Sequence, residues 1–377
     1  MRLARASLLA VLGAALLAPA ANAAAPTPPL SLLRQALGEL RATSGSGAAA
    51  YRTLGAAAAR TLWVDPSDAV APPAGRAVFA DSRAALTDLE PLLNAQARPA
   101  AITTAESLIL TADRRLAERA IQEAARGAGL VVRARGMVLS GDRWGATSRV
   151  DLAAEQYGSA WVDAFDGLTP LVVTPAENLP PSALATAADN AAAANRIAFS
   201  SVRAVQNQPP LTAAGKPEVL LVAPESCAAC ELESWGIVEA LSQFGAVADL
   251  QLSQSATTRR PIVRGLTFKS AGYGSPYISF AIAAPASNVP RPFPFVDVAN
   301  KFADVGSPAP ASVAGGLFWT QLAGSLSRPE TAVGQAVDGT AELLTAEICE
   351  ATAGVPAEVC GTAAVQEYQK RLPAASP

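Results

Sequence analysis

Between Val219 and Gly245 the chain reads VLLVAPESCAACELESWGIVEALSQFG. A β-type apolar run, Val219–Ala223, is followed within four residues by Cys227-Ala-Ala-Cys230. An amphipathic stretch comes next, with Leu232, Trp235, Val238 and Leu241 at three-residue steps along one helical face and Gly245 ending it. A cysteine pair is thereby fixed at a strand-to-helix junction. That junction constrains the chemistry as well as the fold. Unpaired N–H groups and the helix dipole at a helix N-terminus stabilise a thiolate, and the thiolate is the nucleophile of thiol–disulfide exchange. Cys227 therefore reads as the attacking thiol, and Cys230, one helical turn on, as the resolving one.

Downstream the pattern is mostly extended. AVADLQL (Ala246 to Leu252), GLTFKS and YISFAIAA are strand candidates, and PFPFVDVANKFADVG reads as a proline-led strand turning at Ala299-Asn300 into another. From Ser312 onward the chain reads as helical. A strand, a C-x-x-C at a helix start, further strands and a proline-led strand make up the thioredoxin-like order.

The stretch from Gly215 to Gly245 resembles the domain-of-unknown-function 929 family. That family carries a Glu two residues before the first cysteine, the C-x-x-C, then Glu, Trp and an ALS-x-FG segment. The matching residues are Glu225, Cys227, Cys230, Glu233, Trp235 and Ala240 to Gly245. YGSPYISF, VANKF and AEICEATAGVPAEVC are similar to later segments of the family, so the likeness runs from about Gly215 to Cys360. Where the family usually has a proline and an aromatic between the cysteines, this chain has Ala228-Ala229. A thioredoxin-type buried acid falls near Leu221, which takes no proton, and Ser226 stands where thioredoxin has Trp. The resemblance implies a cis proline facing the cysteine pair and binding the substrate backbone. Pro294 is the first choice and Pro292 the second, with a cis Phe293–Pro294 bond in contact with Cys227. Glu225 reads either as a proton relay for Cys230 or as an exposed loop carboxylate.

Cys349 and Cys360 remain. They bracket Gly354 and Pro356 in a helix–turn arrangement, and two local bridges are the simplest pairing of four cysteines. They read as a structural disulfide stapling the terminal helices, or else as a second redox relay feeding Cys227–Cys230. For Cys227–Cys230 itself the competing readings are a redox-inactive thioredoxin-like fold used for binding or scaffolding, and half of a zinc site. The zinc reading lacks further ligands: the chain has no histidine. That absence also excludes Ser-His-Asp and Cys-His catalysis. The reading calls for no metal and no cofactor.

The first residues read as an export signal. Arg2 and Arg5 precede the apolar LLAVLGAALLAPAA, and ANA ending at Ala23 fits small-x-small cleavage. The alternative is an uncleaved anchor, the chain's one expected route to a membrane. Cleavage after Ala23 leaves 27 basic against 32 acidic residues, a net charge of −5. That balance gives no expectation of nucleic-acid binding. Export to the cell envelope or medium is an oxidising setting in which disulfides persist. The expected partners are exported protein thiols and disulfides or a redox partner.

Residues 24–208 read as an alanine-rich helical domain of about five helices. Expected helices cover Ser31–Ala42, Tyr51–Trp63, Arg76–Ala97, the ITTAESLILTADRRLAERAIQEAARG stretch, Val150–Phe165 and Pro181–Val205. VDPSDAVAPPAG reads as a loop, and GLVVRARGMVLSG as a strand pair or extended connector. Trp161, Asp163 and Asp166 read as a helix end with a packed Trp rather than a catalytic acid pair. The polar QNQPPLTAAGKPE segment is the expected boundary, with residues 216–377 as the second domain. Arg259, Arg260, Arg264 and Lys269 read as a solvated basic face. The expected class is α+β overall: an N-terminal all-α helical bundle, then a thioredoxin-like α/β domain with a helical C-terminal extension.

Overall fold

The computed structural model describes residues 27–43, 45–59, 62–65, 69–70, 72–95, 98–128, 131–224, 227–255, 261–286 and 289–374. The expected signal segment, Glu225, Ser226, Arg259 and Arg260 lie outside them.

The N-terminal region is helical. α1 (Pro29–Arg41) starts with Pro in its first turn, where the missing N–H costs no hydrogen bond, and buries Leu30, Leu33, Ala36 and Leu40. α2 (Ala48–Ala57) stops earlier than its composition suggests. Trp63 instead opens a two-stranded ribbon of β1 (Trp63–Asp65) and β2 (Ala69–Val70), and its indole N–H donates to Ala57 O at 2.8 Å. α3 (Pro72–Leu93) and α4 (Ala100–Ala128) follow.

α5 (Val132–Ala146) occupies the segment whose β-branched residues suggested strands. Packing overrides that local preference: Ala134, Val138 and Gly141 recur at helical spacing and are buried. They face α6 (Val150–Glu177), where a Cβ on Gly141 would lie 2.5 Å from the Tyr157 ring. The Tyr157 hydroxyl donates to Asp142 at 2.8 Å, and Arg114 of α4 donates to the same carboxylate.

α6 continues a further 12 residues beyond the Phe165 expected to end it. It passes through Pro170 and Pro175 while burying Leu168, Val172, Val173 and Ala176. Trp161 therefore sits inside a helix rather than at its end, packed between Phe79 and Phe165. Asp166 pairs with Arg76, and Asp163 with Arg133. α7 (Pro181–Ala193) ends well short of Val205. Among the described residues this region holds seven helices, not about five.

The rest of that last expected helix is a strand. β3 (Val202–Ala204) forms the edge of a mixed sheet whose other strands lie downstream. Next come β4 (Thr212–Ala213), β5 (Lys216–Val222), α8 (Ala228–Phe244), β6 (Ala246–Ala248), β7 (Gln251–Gln254), β8 (Arg264–Thr267), β9 (Gly272–Gly274), β10 (Ser279–Ala283), β11 (Phe295–Val298) and β12 (Phe302–Val305). The sheet order is β10-β5-β11-β12-β3, with β4 folded back on β5. β5 runs parallel to β10 and antiparallel to β11. β11 and β12 turn at Ala299 and Asn300, both with positive φ, the backbone a two-residue hairpin requires. The Asn300 N–H is held by Asp297 Oδ1 at 2.7 Å. β6 pairs with β9, and β7 with β8, as separate ribbons.

The chain closes with α9 (Trp319–Leu326), α10 (Ala332–Ala351), α11 (Ala357–Cys360) and α12 (Ala363–Gln369). α10 is buried on every face from Ala336 to Cys349, packed between α7, α8 and α12.

The helical region and the sheet region share a packed face. Phe165 meets Trp319 edge-on, the Tyr368 hydroxyl donates to Ala188 O at 2.8 Å, and Ile197 lies against Gly339. Arg264 is buried in this face, not solvated. It donates to Leu317 O, pairs with the buried Glu123 of α4 at 3.3 Å, and lies over the Phe318 and Trp319 rings. No helix among the described residues is long and apolar enough to cross a membrane.

Candidate functional site

β5 delivers the chain to Cys227, which is the N-cap of α8 in extended conformation. Its sulfur accepts the Cys230 N–H at 3.1 Å, an orphan donor of the first helical turn. Cys227 and Cys230 form a disulfide, with Cα atoms 5.1 Å apart. The two residues differ in access: Cys227 is half-buried and Cys230 is buried. Ala228 and Ala229 are also half-buried, and their methyl groups leave Cys227 with no bulky neighbour inside the motif.

The segment before β11 reaches this sulfur. Phe293 O lies 3.9 Å from Cys227 Sγ, and the Phe293–Pro294 peptide is cis. Pro294 O accepts the Gly306 N–H at 2.8 Å, which ties the loop to the end of β12. The Arg291–Pro292 peptide is cis as well, and the Pro292 ring covers Gly306, whose φ of +81° suits glycine. The structure thus brings the Cys227–Cys230 disulfide against the carbonyl of the cis Phe293–Pro294 bond. Pro292 packs on Gly306, at the end of β12.

Cys349 and Cys360 form a second disulfide, joining α10 to α11, with both residues buried. Among the described residues there is no free cysteine, and no three His, Cys, Asp or Glu side chains are placed to hold a metal ion.

The sequence reading missed what lies beneath α8. Glu231, Glu233 and Glu239 are all buried, although acidic residues on a helix ordinarily face water. Glu231 is satisfied toward the β7–β8 ribbon, where its Oε2 accepts from Ser253 Oγ at 2.5 Å. Glu233 is grouped instead with Asp304 of β12 and Glu347 of α10, all three buried. The Asp304 and Glu347 carboxyls hydrogen-bond each other, and Glu233 Oε2 has no hydrogen-bond partner. Burial, reinforced by the Asp304 charge and partly offset by the Ser307 hydroxyl, pushes Glu233 up to about 8. Burial likewise raises Asp304 to about 7, and holds Glu347 well above the carboxylate range, with Asp304 and Glu233 adding to the effect. A second pair, Glu239 and Asp338, lies further along the α8–α10 contact. One signal was present in the sequence: α8 contains no basic residue, and Arg328 is the single one between Phe302 and Gln369. Acids there have few cations to pair with.

A family model described as Domain of unknown function (DUF929) matches residues 202–290. The match begins where β3 begins and takes in the Cys227–Cys230 pair, but stops before Pro294 and the Cys349–Cys360 bridge. No curated protein and no solved structure matches the chain.

Proposed function

We propose that this chain is an exported thiol–disulfide oxidoreductase built on a thioredoxin-like domain, acting on exported protein thiols and disulfides or on a redox partner. One observation carries the reading. Half-buried Cys227 caps the first turn of α8 through its sulfur, bonded to a buried Cys230 and bordered by the Phe293 carbonyl. Two cysteines of unequal access divide the labour of exchange. The incoming thiolate attacks the reachable one, and the buried one leaves and later resolves the mixed disulfide. After reduction, the orphan N–H groups of the first turn and the helix dipole favour a thiolate at Cys227. The Phe293–Pro294 segment lines the approach to that sulfur and offers its backbone to a substrate chain. The order of β5, α8, β10, β11 and β12, with β5 parallel to β10 and antiparallel to β11, supports the thioredoxin-like assignment.

Reduction of insulin disulfides tests the reading. The wild-type chain accelerates it in the presence of a small dithiol, and Cys227→Ser abolishes the acceleration. Equal rates for the two proteins would leave the C-x-x-C without a catalytic role and favour a binding or scaffold protein.

A further inference from the structure

Exchange at this site needs a proton at a buried sulfur. When a substrate thiolate attacks Cys227 Sγ, the Cys227–Cys230 bond breaks, a mixed disulfide forms, and Cys230 departs as a thiolate. Cys230 is buried, and a buried thiolate without a proton or a cation is strongly disfavoured. Two acids on α8 lie near it in sequence. Glu231 is turned away toward Ser253 on β7 and packs on Gly265. Glu233, three residues on, lies on the same helical face as Cys230, at a spacing that puts Cβ atoms about 5–6 Å apart.

We propose that Glu233, backed by Asp304 and Glu347, is the internal proton donor to Cys230 when the Cys227–Cys230 disulfide opens, and its acceptor when the disulfide re-forms. This rests on the exchange reading above. In the opening step the Glu233 carboxyl O–H proton passes to the Cys230 thiolate, directly or through one water, giving a thiol and a carboxylate. A second substrate thiolate then releases Cys227. The substrate has lost two electrons to form its disulfide, and the cysteine pair has gained them. In the reverse direction the same carboxylate takes the Cys230 proton as that sulfur attacks the mixed disulfide.

Burial of all three carboxyls and the unpartnered Glu233 Oε2 support the assignment beside the titration. The titratable groups facing Glu233 are Asp304 from β12 and Glu347 from α10. No lysine or arginine among the described residues forms an ion pair with any of the three. Glu347 is fully buried and its carboxyl hydrogen-bonds that of Asp304, an arrangement suited to sharing the proton or negative charge that Glu233 exchanges. Asp304 also lies on the strand that leads to Gly306, which packs against Pro292 and donates to Pro294 O. A value near 8 keeps Glu233 protonated at neutral pH, the state a donor requires.

The test uses the full exported chain, with dithiothreitol as the attacking dithiol and rates corrected for its own thiolate fraction. The wild-type rate constant should fall above about pH 8 as Glu233 loses its proton. Glu233→Gln replaces a neutral acid by a neutral amide of the same shape. It should react at least ~10-fold more slowly at pH 7, within the usual reach of general acid catalysis, and lose the inflection. Glu347→Gln should move the inflection, and Glu239→Gln, in the separate pair, should leave it in place. Infrared difference spectra of wild type between oxidised and reduced forms need no variant, and should show a change in a protonated-carboxyl band that Glu233→Gln lacks. An unchanged profile in Glu233→Gln, or no carboxyl change on reduction, overturns the proton role while leaving the exchange reading standing. A wild-type Cys227–Cys230 pair that dithiothreitol does not reduce overturns both.

Discussion

Glu239 of α8 and Asp338 of α10 face each other across the contact between two buried helices, their carboxyls hydrogen-bonded to each other. Burial first, and their mutual interaction second, hold Glu239 well above its usual value; burial raises Asp338 to about 9. The Glu233, Asp304 and Glu347 group and Glu342, raised to about 7 mainly by burial, add to the effect.

These shifts set the direction of the pH dependence of stability. In the unfolded chain such carboxyls release their protons near pH 4, whereas the folded protein holds them until about pH 7 to 9. Stability is at its full value below pH 4 as far as these groups are concerned, and is lost as pH rises through the folded-state values. Each group contributes a fall of up to about 1.4 kcal/mol per pH unit between its two values. Urea unfolding should give a larger free energy at pH 5 than at pH 8, and Glu239→Gln should make the pH dependence shallower. A stability that climbs from pH 5 to pH 8 would contradict the protonated state of these pairs.

The buried Arg264–Glu123 pair joins β8 to α4 and should be a principal tie between the helical and sheet regions. Removing one partner of a buried pair typically costs about 3–5 kcal/mol. Arg264→Met should fall at the low end, because Arg119 remains 3.6 Å from Glu123. Some stacking over Phe318 and Trp319 is lost as well. Denaturant melts followed by tryptophan fluorescence read the loss, since Trp319 lies under the guanidinium. A change below about 0.5 kcal/mol, the size expected of an ordinary surface substitution, would show the pair to be energetically idle.

The parts of the fold legible in the sequence are those fixed by local pattern. The Leu232–Trp235–Val238–Leu241 stripe is buried, the cysteine pair stands at a strand-to-helix junction, and the Ala299-Asn300 turn joins two strands. What escaped reading depends on partners distant in sequence. The Val132–Ala146 segment is helical because Gly141 and Ala134 let it close onto α6, a contact its β-branched residues do not announce. Val202–Ala204 becomes a strand because Phe302–Asp304, about 100 residues later, offers it an open sheet edge. Arg264 reads as solvated until Glu123 is known to face it. The carboxyls under α8 escaped for a related reason. Charge on a helix suggests a wet face, and only the packing of α10 on α8 reverses that inference for Glu233, Glu239 and Asp338.

The two disulfides should separate cleanly by function. Cys349–Cys360 is buried on both sides, spans 11 residues of sequence and ties the end of α10 to α11. By the chain-entropy argument, a bridge closing so short a loop stabilises the fold by roughly 3 kcal/mol through the unfolded state. The double variant Cys349→Ser, Cys360→Ser should therefore melt at a lower temperature than wild type, while reducing insulin at an unchanged rate below its melting point. The contrast is Cys227→Ser, Cys230→Ser. Its bridge closes only a three-residue separation, so that variant should keep most of its stability and lose exchange. If removing Cys349 and Cys360 instead slowed exchange in a chain that remained folded, electrons would have to pass between the two pairs, and the staple would be a relay.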